Sequence, residues 1–286
     1  MSRLRALTLG AVAYDPKVVT IWDGFKEYFR RHGLDFDYVL YSNYERQVES
    51  HLLGHVDIAW NSPLAWLQTD RAARMLGRRA EAICMRDTDR DLTSIILVRA
   101  DSQIHEVRDL KGKTIAVGAK DSPQATLIPL SYLADHGLDA RADAKVVFFD
   151  RLVGKHGDHI GGERDAARAL ARGDADAACM IDANHAAFTR EGTIPSGATR
   201  VLAQTPPYDH CNFTVLDDAV RDQVKLFREL LQSMAYADAE VRPLLDLEGL
   251  KQWLPGRVDG YAPLAAAVDR LGAIDWFVKE CVARCA

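Results

Sequence analysis

Leu53-Gly54-His55-Val56-Asp57-Ile58-Ala59 is echoed by Ala171-Arg172-Gly173-Asp174-Ala175-Asp176-Ala177-Ala178. Each copy closes a helix-like segment with glycine, continues through a Gly-x-x-Asp spacing and enters a short apolar run. Glycine takes the left-handed backbone that closes a helix without a Cβ clash. Short apolar runs are the mark of buried parallel strands. A polar loop follows each copy: Asn61-Ser62-Pro63 after the first, Asp182-Ala183-Asn184-His185 after the second. In an open α/β sheet the loop beyond a strand's carboxyl end is where ligands sit. Two copies therefore predict two similar lobes, each offering a rim to one ligand.

Working outward, the first lobe opens with a strand over 4–13. A helix over 16–32 follows, with Val18, Val19, Trp22, Phe25 and Phe29 at helical spacing. A strand at 36–41 and a helix at 44–53 lead into the first echo, and a helix from Leu64 to Leu76 and strands at 80–84 and 94–98 come after it. The second lobe has a buried strand ending at Val117, a helix begun by Ser122-Pro123, a strand at 146–149 and a helix from Asp165 to Arg172. Between these last two, residues 154–162 form a glycine-rich loop in which His156 and His159 are expected to be solvent-exposed. Thr199 to Gln204 is the return strand, Thr205-Pro206-Pro207 stops it, and the chain is helical from Asp217 with breaks around Pro243 and Pro255-Gly256. The expected fold is α/β with lobe 2 (99–204) inserted into lobe 1 (1–98 and 205–286). Two crossings between lobes make a hinge, with the ligand cleft between them.

Composition narrows the function. At 286 residues, 48% apolar and 27% charged, the chain has the make-up of a globular protein with room for two cores. A net charge of −5 leaves no basic excess for nucleic acid, and no stretch approaches the ~20 apolar residues of a membrane span. The five cysteines (Cys84, Cys179, Cys211, Cys281, Cys285) are odd in number and irregularly spaced, which argues against a disulfide framework. Residues 6–14 read as a core strand rather than a signal segment. The chain as written is thus expected in the cytoplasm, and in the periplasm if a signal segment has been lost.

The candidate ligand-binding residues are Tyr14, Asn61, Ser62, Ser122, Gln124, Thr126, Asp182, His185 and His210. Ser122 suits a helix cap and Pro123 the first helical position. The free N–H groups at Gln124 to Thr126, with the positive end of the helix dipole, favour an anion. Asp121 opposes an anion unless it points away. Tyr14 ends the first strand, and Asn61 and Ser62 follow the third; their structural alternative is turn formation. Asp182 and His185 hold the equivalent place in the second lobe. Tyr208-Asp209-His210-Cys211-Asn212 is the densest reactive cluster. Cys211 with His210 or His185 offers an alternative nucleophile–base pair. A His-Cys neighbour pair is no recognised metal spacing, so neither metal nor cofactor is expected. There is no nucleophile elbow and no phosphate loop, so a binding protein is preferred to an enzyme.

Asp109-Leu110-Lys111-Gly112-Lys113-Thr114-Ile115-Ala116-Val117, the helix start after it, Pro129, the two echoes, Asn61-Ser62-Pro63 and Thr205-Pro206-Pro207 together resemble the phosphate/phosphite/phosphonate group of type 2 periplasmic binding proteins. The likeness covers about residues 6 to 235. It implies a two-lobed Venus-flytrap fold that clamps a small anionic, phosphonate- or oxyanion-like ligand, with an ABC transporter or a signalling protein as partner. Alternatives on the same scaffold are an enzyme using Asp209-His210-Cys211 and a ligand sensor. Three features depart from the group. Pro123, Gln124 and Ala125 fill an anion loop that is usually rich in Ser and Thr. A histidine-bearing loop precedes Gly161-Gly162-Glu163-Arg164. Residues 6–14 read as a strand where exported members are expected to carry a signal segment.

Overall fold

The computed structural model describes residues 5–158 and 160–286. The chain divides into two compact units, one made of Met1–Arg90, Asp209–Asp259 and Ile274–Ala286, the other of Asp91–Tyr208 and Gly260–Ala273.

In the first unit, β1 (Leu7–Val12), β2 (Phe36–Tyr41), β3 (Ile58–Asn61) and β4 (Ala80–Arg86) share a sheet with two strands from far along the chain. Those are β10 (Asn212–Leu216) and β11 (Trp253–Pro255), and the order is β11-β4-β10-β3-β1-β2. β1 runs parallel to β2 and β3, whereas β10 lies antiparallel between β3 and β4. The helix Lys17–Arg31 buries Val18, Trp22, Phe25 and Phe29 as their spacing predicted, with Ile21 beside them, whereas Val19, expected on the same face, is exposed. Phe29 packs on Phe36 with ring centroids 4.8 Å apart, and Phe213 meets Trp60 at 4.5 Å and Phe227 at 5.0 Å. Each such ring contributes about 1.5–3 kcal/mol by leaving water.

The second unit holds β5 (Ser94–Arg99), β6 (Thr114–Val117), β7 (Lys145–Phe148), β8 (Ala177–Ile181) and β9 (Thr199–Gln204), ordered β7-β6-β8-β5-β9. Here β6 is parallel to β7 and β8, and β5 is the antiparallel strand between β8 and β9. Strand 94–98 was expected in lobe 1, yet it lies inside this sheet. Its Ile95, Ile96, Leu97 and Val98 are fully apolar because both of its faces are covered. The unit starts at Asp91 and ends its first segment at Tyr208, and residues 260–273 also pack with it.

The echo has the same structure in both units. Gly54 (φ +74°) and Gly173 (φ +80°) are left-handed. Asp57 Oδ2 accepts from Thr8 N at 2.8 Å, and Asp176 Oδ2 accepts from Thr114 N at 2.8 Å. The aspartates' own amides donate to Thr8 O and Thr114 O, each at 2.8 Å. The carboxylate thus grips the first residues of the neighbouring strand and sets the registers Leu9↔Ile58 and Ile115↔Ala177. A hydrogen bond to a charged group of this kind contributes roughly 1.5–3 kcal/mol.

Candidate functional site

In the second unit the carboxyl ends of β6 and β8 share an edge with the start of β5 and the end of β9. After β6, Gly118 lets the chain turn tightly, since a Cβ there would lie 2.7 Å from that of Ala125. Ser122 caps the following helical segment, its Oγ accepting from Ala125 N at 3.2 Å, with Pro123 in the first position. Thr126 Oγ1 donates to Ala119 O at 2.8 Å, so that hydroxyl proton is spent. Gln124 Nε2 donates to Gly157 O at 2.9 Å, while Gln124 Oε1, also buried, has no hydrogen-bond partner.

The glycine-rich loop therefore folds over the helix start instead of standing in solvent. A Cβ on Gly157 (φ +79°) would sit 2.3 Å from Ser122 Oγ. Asp121 is turned onto the loop, its Oδ2 accepting from Gly154 N at 2.5 Å. The expected exposure of His156 is corrected: it is fully buried, in a left-handed conformation with φ +50°. His159 lies outside the described residues.

Tyr208, Ser94 and Glu163, none of them among the candidate binding residues, complete this edge. Tyr208 Oη and Ser94 Oγ share a 2.7 Å hydrogen bond, Ser94 Oγ donates to Gln124 O at 2.5 Å, and burial pushes the Tyr208 phenol's pKa up. Ser94 N donates to Thr205 Oγ1 at 3.0 Å. Glu163 is buried, with Oε2 accepting from Ile181 N at 3.1 Å and Asn184 Nδ2 at 2.8 Å, which holds the loop after β8. Asp182 begins the helix Asp182–Arg190 and is exposed, its amide donating to Thr93 O. His185 is half-buried, with Nε2 3.1 Å from Thr199 Oγ1.

The corresponding edge of the first unit is built differently. Asn61 is fully buried: Oδ1 accepts from Gln47 Nε2 at 2.8 Å, and Nδ2 donates to Thr214 Oγ1 at 2.8 Å and Thr69 Oγ1 at 3.4 Å. Thr214 passes its own proton to Asn212 Oδ1 at 2.6 Å, so the polar chain joins β3 to β10 across the pair Asn61↔Asn212. Ser62 Oγ accepts from Ala65 N at 3.1 Å and caps the helix Pro63–Met75. Tyr14 is half-buried against the core, with Lys17 Nζ 6.0 Å from its ring centre.

His210 and Cys211 stand beside Asp89, and the three can place ligand atoms within 4.8 Å of one another. His210 Nδ1 is 3.1 Å from Cys211 Sγ and 3.4 Å from Asp89 Oδ1. One nitrogen faces both groups, so the ring cannot take a proton from sulfur on one side while being oriented from the other, as a nucleophile–base–acid relay needs. Asp89 is also held by Arg86 through bonds of 2.5 and 2.8 Å. Burial would raise the Asp89 carboxyl, but the Arg86 charge and hydrogen bonds, with help from His210, bring it down to about 2. A guanidinium in that position also works against a second cation.

A family model described as "ABC transporter, phosphonate, periplasmic substrate-binding protein" matches residues 11–261. The fold is shared with PhnD1 from Prochlorococcus marinus in complex with methylphosphonate, at TM-score 0.70 and 16% identity over 94% of this chain and 99% of that one. XAC2383 from Xanthomonas citri, bound to chloride ion, aligns at TM-score 0.65 and 18% identity over 98% and 99%. The phosphonate-transporter binding protein PA3383 from Pseudomonas aeruginosa aligns at 0.62 and 16% over 98% and 97%.

Proposed function

The chain belongs to the phosphonate ABC transporter substrate-binding family, and from that premise we propose that it clamps a small phosphonate-like anion between its two units, with Ser122 and Gln124 as the principal donors. The observation that carries this is the hydrogen-bond balance at the 122–126 helix start. Ser122 Oγ accepts internally and keeps its own proton to give. Gln124 keeps a second amide proton and an unpartnered, buried Oε1. A phosphonate monoanion supplies what that pair lacks, since its oxyanion accepts from both donors and its P–OH donates to Oε1. PhnD1, a structural relative, holds methylphosphonate.

Thr126 and Asn61 then act as positioning residues, because their polar atoms are committed to Ala119, Gln47 and Thr214, while Ser62 caps the helix Pro63–Met75 at the first unit's edge. Tyr14 and His210 close on the ligand from the first unit, and Asp182 and His185 tune specificity from the second. The chain passes between the units at 90/91, 208/209, 259/260 and 273/274, and closure follows from a ligand that touches both units and so favours the closed state. Members of the family are substrate-binding proteins rather than enzymes, and the single-nitrogen geometry at His210 agrees.

Titration calorimetry with methylphosphonate tests the assignment. Ser122→Ala and Gln124→Ala should each weaken binding about tenfold or more; unchanged affinity in both variants would remove the helix start from the site. The family is normally periplasmic and pairs with a transporter, and no helix among the described residues is long and apolar enough to cross a membrane. The cytoplasmic location read from residues 6–14 is tested by fractionation; recovery only in the periplasmic fraction would overturn it.

A further inference from the structure

The first unit contains a cavity of about 550 Å³ where β4 begins, β10 ends and the helix Arg221–Ser233 packs beside them. Leu216 pairs with Ala80 at this end of the sheet, whereas Asn61 pairs with Asn212 at the other. The cavity is therefore at the far end of the sheet from the loop that follows β3.

We propose that this cavity is a second binding site, separate from the transport ligand's, for an organic anion that joins an oxyanion head to an apolar body. The helix sets Arg221, Lys225 and Arg228 along one face at spacings of four and three residues, while Phe227 and Leu231 face the core. With Arg79 they give the cavity four cations against two acids, Glu81 and Asp217. Asp217 is engaged from below by Arg78 at 3.8 Å and Arg79 at 4.0 Å, and Lys225 reaches Glu229 only at 3.9 Å. Arg221 and Arg228 have no ion pair or hydrogen bond among the described residues, although Arg228 is half-buried. Two guanidinium groups without a carboxylate among the described residues concentrate positive potential locally, in a chain whose net charge is −5. Arginine forks match carboxylate, phosphate or sulfonate oxygens in paired hydrogen bonds. The floor is Ile83, Val215 and Leu216, which asks for a hydrocarbon or aromatic body rather than a bare inorganic ion.

Phenyl phosphate is the probe, titrated by calorimetry into the full-length protein in the presence of excess methylphosphonate. Saturable binding is expected that weakens with added salt and falls at least tenfold in R221Q/R228Q. Equal affinity in that variant, absence of binding in the parent protein, or displacement of phenyl phosphate by methylphosphonate would each overturn the site. If R221Q/R228Q does not fold, Lys225→Glu at the exposed rim serves instead and should reduce affinity several-fold; no reduction again counts against the proposal. Inorganic phosphate matching phenyl phosphate in affinity would overturn the role of the apolar floor.

Discussion

The two sheets present the same kind of edge, and the difference between them lies in what each edge has left over. In the first unit every polar group of Asn61 is matched within the protein, and Arg86, Asp89 and Glu248 form a buried ionic cluster. In the second, Glu163 is held by an amide and Asn184, and Gln124 retains a buried oxygen with no partner. A saturated polar network specifies structure, while an unsaturated one costs stability and is retained where a ligand completes it. Buried atoms without a partner are not confined to the second unit, since Gln47 Oε1 and Gln68 Oε1 lack one in the first. What sets Gln124 apart is that its oxygen stands at a helix start, and the proposed function makes that the anion's edge and Asn61 part of the frame.

The comparison breaks most visibly at Arg86. Arg86→Ala removes the guanidinium that the buried Asp89 and Glu248 share and should cost about 3–5 kcal/mol in urea unfolding; a loss below about 1 kcal/mol would mean the cluster is not part of the frame. Next comes acid. Burial, followed by the Arg78 charge and opposed by Asp218, lowers the His51 pKa to about 4 from its ordinary 6.5. Between those values unfolded chains bind a proton that folded chains do not, so stability should fall by about 3 kcal/mol as pH drops from 6.5 to 4. His51→Gln should flatten that slope, and a slope identical to the parent's would assign it to other groups. Asn61→Ala follows, with an expected loss of about 2–3 kcal/mol because Gln47 and Thr214 lose a buried partner; methylphosphonate affinity at 10 °C should stay within about twofold if Asn61 only positions. The smallest effect on folding belongs to Gln124→Ala. It should change stability by under about 1 kcal/mol while weakening methylphosphonate binding about tenfold, and a variant that loses stability but keeps affinity would reverse the roles of the two edges.

Much of this was legible in local pattern. Gly54 and Gly173, with Asp57 and Asp176 three residues on, mark equivalent strands because a left-handed closure and a strand-gripping carboxylate are both local devices. The helix Lys17–Arg31 showed itself by apolar spacing alone. What stayed hidden depends on partners distant in sequence. β10 reads as a reactive cluster followed by a helix, and becomes a strand only between β3 and β4. Ser94 lies inside an apolar run, and its hydroxyl matters because Tyr208 and Gln124 arrive from elsewhere. His156 looks solvated by its glycine neighbours, but those glycines are what let the loop press against Ser122. Asn61 was chosen for a position beyond a strand end, which says nothing of whether its amide is already engaged.

The placement of β10 also constrains how the chain is made. Its five residues fill the middle of the first sheet, between β4 and β3, yet they follow the whole of Asp91–Tyr208 in sequence. During synthesis the first ninety residues emerge without β10 and β11, the two strands that pair β4, and β10 is also the strand that pairs the far edge of β3. All five strands of the second sheet, by contrast, come from one continuous stretch. The order of emergence from the ribosome is therefore not the order in which the sheets can close. The unit made first cannot complete its sheet until the second has passed.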